Sequence, residues 1–297
     1  MVSSKNMKNK IFLISAPRSG STLLQRIICS DSRISTVAEP WILLGLCSMF
    51  YGEQTKSKFN WKALQSALQD SSDKSSIDAI IKELSDCYYN RTFDVGTDIN
   101  YILDKTPRYY WYIEEISSIF KDAKIIILTR DPLEVYSSII NTWLKGTLNG
   151  IGDFIQDFLV HTHNVSAFVK NNDGRFLLVD YQYLVENPQS CTKKLNEYLD
   201  LSGIIHEQIA PRPEGKMGDP SENSRLNLKK SESDINLTFI AYIFYKLLKK
   251  FIAKDYSKLY RVSKRKVVLN YRLNKNLIDF YFALKGVIKY VIFSSRK

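Results

Sequence analysis

The sequence predicts an α/β fold organised on a parallel sheet, on three observations. Short apolar runs of strand type recur at Ile11–Ser15, Ile34–Val37, Lys124–Thr129 and Arg175–Val179, each bounded by turn-forming residues. Helical patterns fill the intervals, and strands alternating with helices build parallel sheets joined by crossovers. The run KIIILT at Lys124–Thr129 is apolar without alternation, which suits a strand covered on both faces. Ligands of such sheets sit beyond the carboxyl ends of the strands. The polar residues just after the four runs, Arg18, Glu39, Arg130 and Tyr181, are therefore expected to face one crevice.

The first run leads into Pro17, Arg18, Ser19, Gly20, Ser21 and Thr22, a turn of small residues, and Leu23–Cys29 continues as a helix. The second run ends at Ala38, Glu39 and Pro40, before an apolar helix over Trp41–Phe50. Phe59–Leu68 and Ile77–Tyr89 read as helices separated by the joint DSSDKSS. Having no strand of their own, they are expected to form an insertion at about 41–102 over one edge of the core. Leu103–Pro107 (LDKTP) precedes an aromatic helix at Tyr109–Phe120. Arg130, Asp131 and Pro132 close the third run, and helices follow at Leu133–Leu144 and Asp153–Lys170. Asp180 and Tyr181 close the fourth, and a helix from Asn187-Pro188 to Leu199 has proline at a favoured early position. Pro211–Asp234 reads as a long loop. Beyond it, Ile235–Ile252 and Leu277–Phe293 interleave apolar and aromatic residues with lysine. The expected organisation is a domain over 1–234 and a basic helical extension over 235–297, packed on the core or on a membrane surface.

Composition narrows the partners. With 297 residues, 44% of them hydrophobic, the chain has ample material for a core, and its formal charge of +11 favours anionic partners. Much of that charge lies late, between Lys246 and Lys297, so the site argument does not lean on it. The basic residues form no recognised nucleic-acid motif and the aromatics read as buried. Four cysteines, at 29, 47, 87 and 191, include no CxxC pair, which argues against a disulfide framework and a zinc site. The opening MVSSKNMKNK is polar, and neither a signal peptide nor an anchor is expected there. A reducing, cytoplasmic location is expected.

A strand feeding a Gly/Ser turn into a helix N-terminus gathers backbone N–H groups, the helix dipole and hydroxyls around an anion. This turn is not Walker A: no lysine follows Gly20, and the cation, Arg18, precedes it. An ordinary β-to-α turn is the plain alternative. A second candidate is RDPLEVYSS, where Arg130 ends a buried run and Ser138 lies about two turns into the next helix. Together they offer a charge-assisted and a hydroxyl hydrogen bond to a second phosphate.

In these residues the chain resembles the sulfotransferases that use 3′-phosphoadenosine 5′-phosphosulfate (PAPS), especially the bacterial branch similar to protein-tyrosine sulfotransferases. PRSGSTLL at Pro17–Leu24 resembles that family's 5′-phosphosulfate loop, and Arg130 with Ser138 its 3′-phosphate motif. AEP at Ala38–Pro40 falls where the tyrosine-sulfating relatives keep a catalytic glutamate, and DKTP at Asp104–Pro107 where they keep an active-site lysine. Tyr181, in YQYLVENP, is similar to a Tyr-x-x-Leu segment after a core strand. The resemblance runs from about Lys10 to Asp200. It implies a P-loop-kinase-like central parallel sheet flanked by helices, PAPS as co-substrate and 3′-phosphoadenosine 5′-phosphate (PAP) as product. It further implies donor binding by Arg18, Ser19, Gly20, Ser21, Thr22, Arg130, Ser138 and Tyr181, with Lys216 in GKMGDP as the candidate over the adenosine end.

Sulfuryl transfer needs an acceptor hydroxyl deprotonated as it attacks, and charge stabilised on the leaving phosphate. Glu39, beside Trp41 and Leu43, is the candidate base. Arg18 and Lys105 are the cations at the reacting end. The transferred group carries less charge than a phosphoryl group, so protein cations suffice and no metal is expected. The three histidines, His161, His163 and His206, lie outside the motifs; His161 and His163 read as helix-surface or acceptor-pocket residues. The expected acceptor is a hydroxyl of a saccharide or another cell-surface or secreted metabolite. A P-loop nucleoside or small-molecule kinase, and a non-catalytic protein binding anionic glycans or membranes, are the rival readings.

Overall fold

A computed structural model describes residues 8–51, 66, 73–93, 96–204, 209–211, 213, 234–270, 280–281, 283–285 and 288. Five strands form one parallel sheet: β1 (Asn9–Ser15), β2 (Ile34–Thr36), β3 (Tyr101–Lys105), β4 (Lys124–Thr129) and β5 (Phe176–Asp180), in the order β2-β3-β1-β4-β5. The expected α/β class and central parallel sheet are borne out.

Helices cover both faces, and successive residues of β1 point to opposite sides. Ile11 and Leu13 pack with α1 (Ser21–Ile28) and α8 (Pro188–Leu199), through Leu24, Ile27, Leu195 and Leu199. Phe12 and Ile14 pack on the other side, with α2 (Ile42–Tyr51), α3 (Lys74–Thr92), α4 (Ile113–Ile119) and α6 (Gln156–Asn171). A third apolar cluster joins α5 (Pro132–Thr142) and α6 to α9 (Phe239–Leu248), through Tyr136, Ile139, Phe158, Phe244 and Leu248. The helix starts follow local rules. Asp131 accepts a hydrogen bond from the Leu133 N–H with Pro132 at the first helical position, and Asp180 accepts one from the N–H of Tyr183 at the start of α7 (Tyr181–Glu186).

Several elements depart from the sequence reading. Tyr101–Lys105 (YILDK), which overlaps the expected lead-in LDKTP at Leu103–Pro107, is β3, an inner strand between β2 and β1. The region expected to carry no strand thus ends inside the sheet. The reading missed it because two charged residues close the strand, and both are buried only by virtue of tertiary partners. The expected single helix over Tyr109–Phe120 opens as a 3-10 turn at Tyr109–Tyr112 before α4. Ile235–Ile252 is not all helix: Ile235–Thr238 is β6, paired in parallel with β7 (Val267–Asn270), and Thr238 caps α9 by accepting from the Ala241 N–H. All of the expected helix at Phe59–Leu68 but Ser66, and nearly all of the loop at Pro211–Asp234, lie outside the described residues, as does much of Leu277–Phe293.

Candidate active site

The strand order sets the layout of the site. Glu39 beyond β2, Lys105 at the end of β3, Arg18 beyond β1, Arg130 beyond β4 and Tyr181 beyond β5 follow one another along one edge of the sheet. With strands about 4.8 Å apart, that row spans roughly 19 Å. Its centre is the junction of β1 and β4, whose onward connections run to opposite sides of the sheet. Such a switch point is where an open α/β sheet leaves a ligand crevice.

The β1–α1 turn is built around two residues with left-handed backbone, Arg18 (φ 63°) and Gly20 (φ 95°). Gly20 caps α1, and among the described residues no side-chain hydrogen bond caps that N-terminus, so the first N–H groups of the helix would point toward an anion there. Glycine is required twice over at this point. Its φ disfavours a side chain, and a Cβ built there would lie 2.4 Å from Cε2 of Tyr181. Ser21 is buried and Thr22 half-buried at the helix start. The buried Ser19 hydroxyl takes no hydrogen bond among the described residues.

The two anion motifs, expected as separate sites, meet directly. Arg18 Nε donates to Ser138 Oγ at 3.1 Å across 120 residues of sequence, and its guanidinium lies 5.5 Å from the Trp143 ring centroid. Arg130 Nη1 donates to the Arg18 carbonyl at 3.2 Å, and its guanidinium stacks 4.0 Å from the centre of the Tyr181 ring. Arg130 also donates from Nε to Glu134 Oε2 at 2.9 Å, with Nη2 at 2.8 Å from the same oxygen. Burial pushes the Glu134 carboxyl up, but Arg130, Ser263 and Arg265 outweigh it and hold the carboxyl below the ordinary range. Glu134 and Trp143 escaped the sequence reading. The spacing of Arg130 and Glu134, four residues apart across a helix start, was the available signal for the first.

At the other end of the row, Lys105 Nζ donates to Glu39 Oε1 at 2.8 Å, with both side chains largely removed from solvent. The second carboxylate oxygen of Glu39 takes no hydrogen bond among the described residues. Beneath the pair sits Asp104, fully buried, accepting from Tyr89 OH at 2.7 Å, Tyr109 OH at 2.9 Å and Thr106 Oγ1 at 3.0 Å. Two of those hydroxyls in turn accept backbone N–H groups just past Glu39: Thr106 Oγ1 from Trp41 and Tyr109 OH from Leu43. The network thereby fixes the chain that carries Glu39, including the left-handed Trp41 (φ 58°).

Burial pushes Asp104 up to about 6, against the opposing pull of the hydroxyl donors and Lys105. A carboxyl with a raised folded-state pKa contributes stability that is complete below its unfolded pKa and lost as pH rises through the folded one. Asp104→Asn removes that titration. Chemical denaturation at pH 5 and pH 7.5 is therefore expected to show wild type losing ground to the variant at the higher pH, by on the order of 1 kcal/mol, because about half of the full linkage of roughly 3 kcal/mol is already lost below pH 5. An unchanged difference between the two pH values would contradict the assignment.

One histidine departs from expectation. His161 is not on a helix surface: it is buried edge-on between Tyr110 and Tyr256, and desolvation lowers its pKa to about 3, so it is neutral. His163 is exposed, with Nε2 3.3 Å from the Phe251 carbonyl oxygen. His206 and Lys216 lie outside the described residues.

Fold and site together define an α/β protein with a Gly/Ser strand–turn–helix at its switch point and a carboxylate–ammonium pair beside it. The chain belongs to the sulfotransferase family, whose model matches residues 10–204, from the first strand past α8. It is similar to nodulation protein NoeE of Sinorhizobium fredii (strain NBRC 101917 / NGR234), at 26% identity over 132 residues, 44% of this chain and 31% of that protein. It is also similar to an uncharacterized protein of Aquifex aeolicus (strain VF5), at 27% identity over 209 residues, 65% of this chain and 26% of that one. The chain thus spans about a third or less of the length of these curated relatives. Among solved structures, it resembles the sulfotransferase domain from the curacin biosynthetic pathway, with 20% identity, a TM-score of 0.47, and 71% and 81% of the two chains covered.

Proposed function

We propose that the protein is an enzyme that moves a sulfuryl group from PAPS to an acceptor hydroxyl of a saccharide or another cell-surface or secreted metabolite, with Glu39 as general base. The observation that supports this reading most is the junction of Arg18, Ser138 and Arg130, which brings two cations and a hydroxyl from distant segments to the crevice between β1 and β4. The residues present fit such a donor. The Ser19 hydroxyl is buried without a partner among the described residues, and Gly20 lets the start of α1 pack directly against the Tyr181 ring.

The donor supplies an activated sulfuryl group and a phosphate that gains charge as its bond to sulfur breaks. In this reading the uncapped start of α1 and Arg18 stabilise that growing charge. Arg130 and Ser138 hold a second phosphate, and Tyr181 gives a flat wall beside Arg130. Glu39 accepts the acceptor's proton on the oxygen that Lys105 does not occupy. Lys105 fixes the orientation of that carboxylate and adds positive potential at the same edge.

Calorimetric titration with PAP tests the donor assignment directly. Wild type is expected to bind, and Arg130→Ala to bind roughly ten- to a hundredfold more weakly, the range of a lost charge-assisted contact. No heat of binding to wild type at high micromolar PAP would overturn the reading.

A further inference from the structure

The positive charge of this chain is not where its anion site is. Residues 235–297 hold fifteen Lys and Arg against two Asp and Glu, whereas residues 1–234 hold twenty-seven against twenty-nine. The α/β domain that carries the site is close to neutral. The whole excess belongs to a C-terminal region that the catalytic reading does not use.

The large exposed apolar side chains gather in the same region. Phe239, Ile243, Phe251, Val262, Val268, Tyr281, Leu284 and Ile288 are all exposed there, against Ile80, Leu84 and Trp143 in the rest of the described chain. They are arranged rather than scattered. The inner face of α9 is spent on the core, through Ala241, Phe244, Tyr245 and Leu248. Phe239 and Ile243, one turn apart, lie on its outer face, and Lys246 and Lys250 continue the same row at helical spacing. Helical residues around 280–288 repeat the plan. Phe280 packs on Phe244 at 6.2 Å between ring centroids and Ala283 is buried, while Tyr281 (62% exposed), Leu284 and Ile288 (50% exposed) point outward beside the exposed Lys285.

A helix with an inner apolar face packed on the core ordinarily turns a polar face to water. Here the outer face is apolar and cationic together, the composition of a segment lying in a lipid interface. Anionic headgroups attract each nearby lysine, and long lysine side chains reach the phosphates while rings and branched chains enter the acyl boundary. No helix among the described residues is long and apolar enough to cross a membrane, so the contact is peripheral. Nucleic acid would satisfy the lysines and leave the Tyr281–Leu284–Ile288 row in water. We propose that this region seats the protein on an anionic bilayer, with that row and Phe239–Ile243 inserted and the lysines on the headgroups. The proposal is independent of the sulfuryl-transfer reading.

Vesicle flotation of the full chain tests it. Binding is expected to vesicles of phosphatidylcholine mixed with phosphatidylglycerol and not to phosphatidylcholine alone, falling roughly tenfold or more between low and high salt. Leu284→Glu with Ile288→Glu is expected to reduce binding by a similar factor, as is Lys246→Gln with Lys250→Gln. Both pairs are exposed, so the circular-dichroism spectrum and melting midpoint should stay as in wild type. Absent binding to the anionic vesicles, equal binding to neutral ones, or binding unaltered by the glutamates would each overturn the proposal. So would a wild-type dimer that the glutamates dissociate, which would assign the face to a second copy, or DNA binding of equal strength that the glutamates leave intact.

Discussion

Glu39→Gln is expected to lower the rate of sulfuryl transfer by about 10²- to 10⁴-fold, the range of general-base catalysis, while PAP binding stays close to that of wild type. Glu39 stands beyond β2 and the residues proposed to hold the donor stand beyond β1 and β4, so the two losses separate by geometry. The variant also leaves the Lys105 ammonium, 2% exposed, against a neutral amide. Breaking a buried pair by removing one partner costs about 3–5 kcal/mol, so thermal denaturation must accompany the kinetics. Lys105→Met strands the carboxylate in the same way. The double variant Glu39→Gln, Lys105→Met removes both charges, and its stability loss is expected to be smaller than the sum of the single losses. Additive losses would mean that the 2.8 Å contact carries no coupling. Loss of PAP binding by Glu39→Gln alone would place that carboxylate in the donor site and remove it as the base.

Gly20→Ala is expected to damage the anion turn more than its size suggests. A left-handed backbone at φ 95° is strained for alanine, at a cost of about 1–3 kcal/mol. The new Cβ would also meet the Tyr181 ring at 2.4 Å. Relief requires that ring to move, and it lies 4.0 Å from the guanidinium of Arg130. The substitution thus disturbs both anion motifs at once. Thermal unfolding is expected to show the loss, and calorimetry with PAP a fall in affinity of at least about tenfold. Adding Tyr181→Ala removes the ring clash but not the backbone strain. The pair is therefore expected to recover part of the stability and little of the affinity. Wild-type behaviour of Gly20→Ala would show that the turn relaxes freely and that the close approach has no role.

Much of this layout was legible in the chain, because strand ends in a parallel sheet announce themselves locally. An apolar run followed by a polar or turn-forming residue placed Arg18, Glu39, Arg130 and Tyr181 at the edge where the structure has them. Lys105 reached the candidate set through resemblance alone, since the strand that carries it was not recognised. YILDK reads as a poor strand, and its two charges are tolerable only because Tyr89, Tyr109, Thr106 and Glu39 surround them. Tyr89 and Glu39 come from other segments, which no local pattern records. His161 was misplaced for the related reason that an isolated polar residue in a helix reads as surface until its packing is known.

The sequence by itself determined the fold class, the anion turn around Gly20, the row of strand-end residues and the concentration of charge after residue 234. Each follows from local composition and spacing. Only the tertiary structure decided which of these act together. It set Arg18 on Ser138, Lys105 on Glu39 and the Tyr181 ring over Gly20. Such contacts depend on strand order and helix packing, and a chain that passes from β1 to β2 before placing β3 between them brings together residues that sequence distance keeps apart.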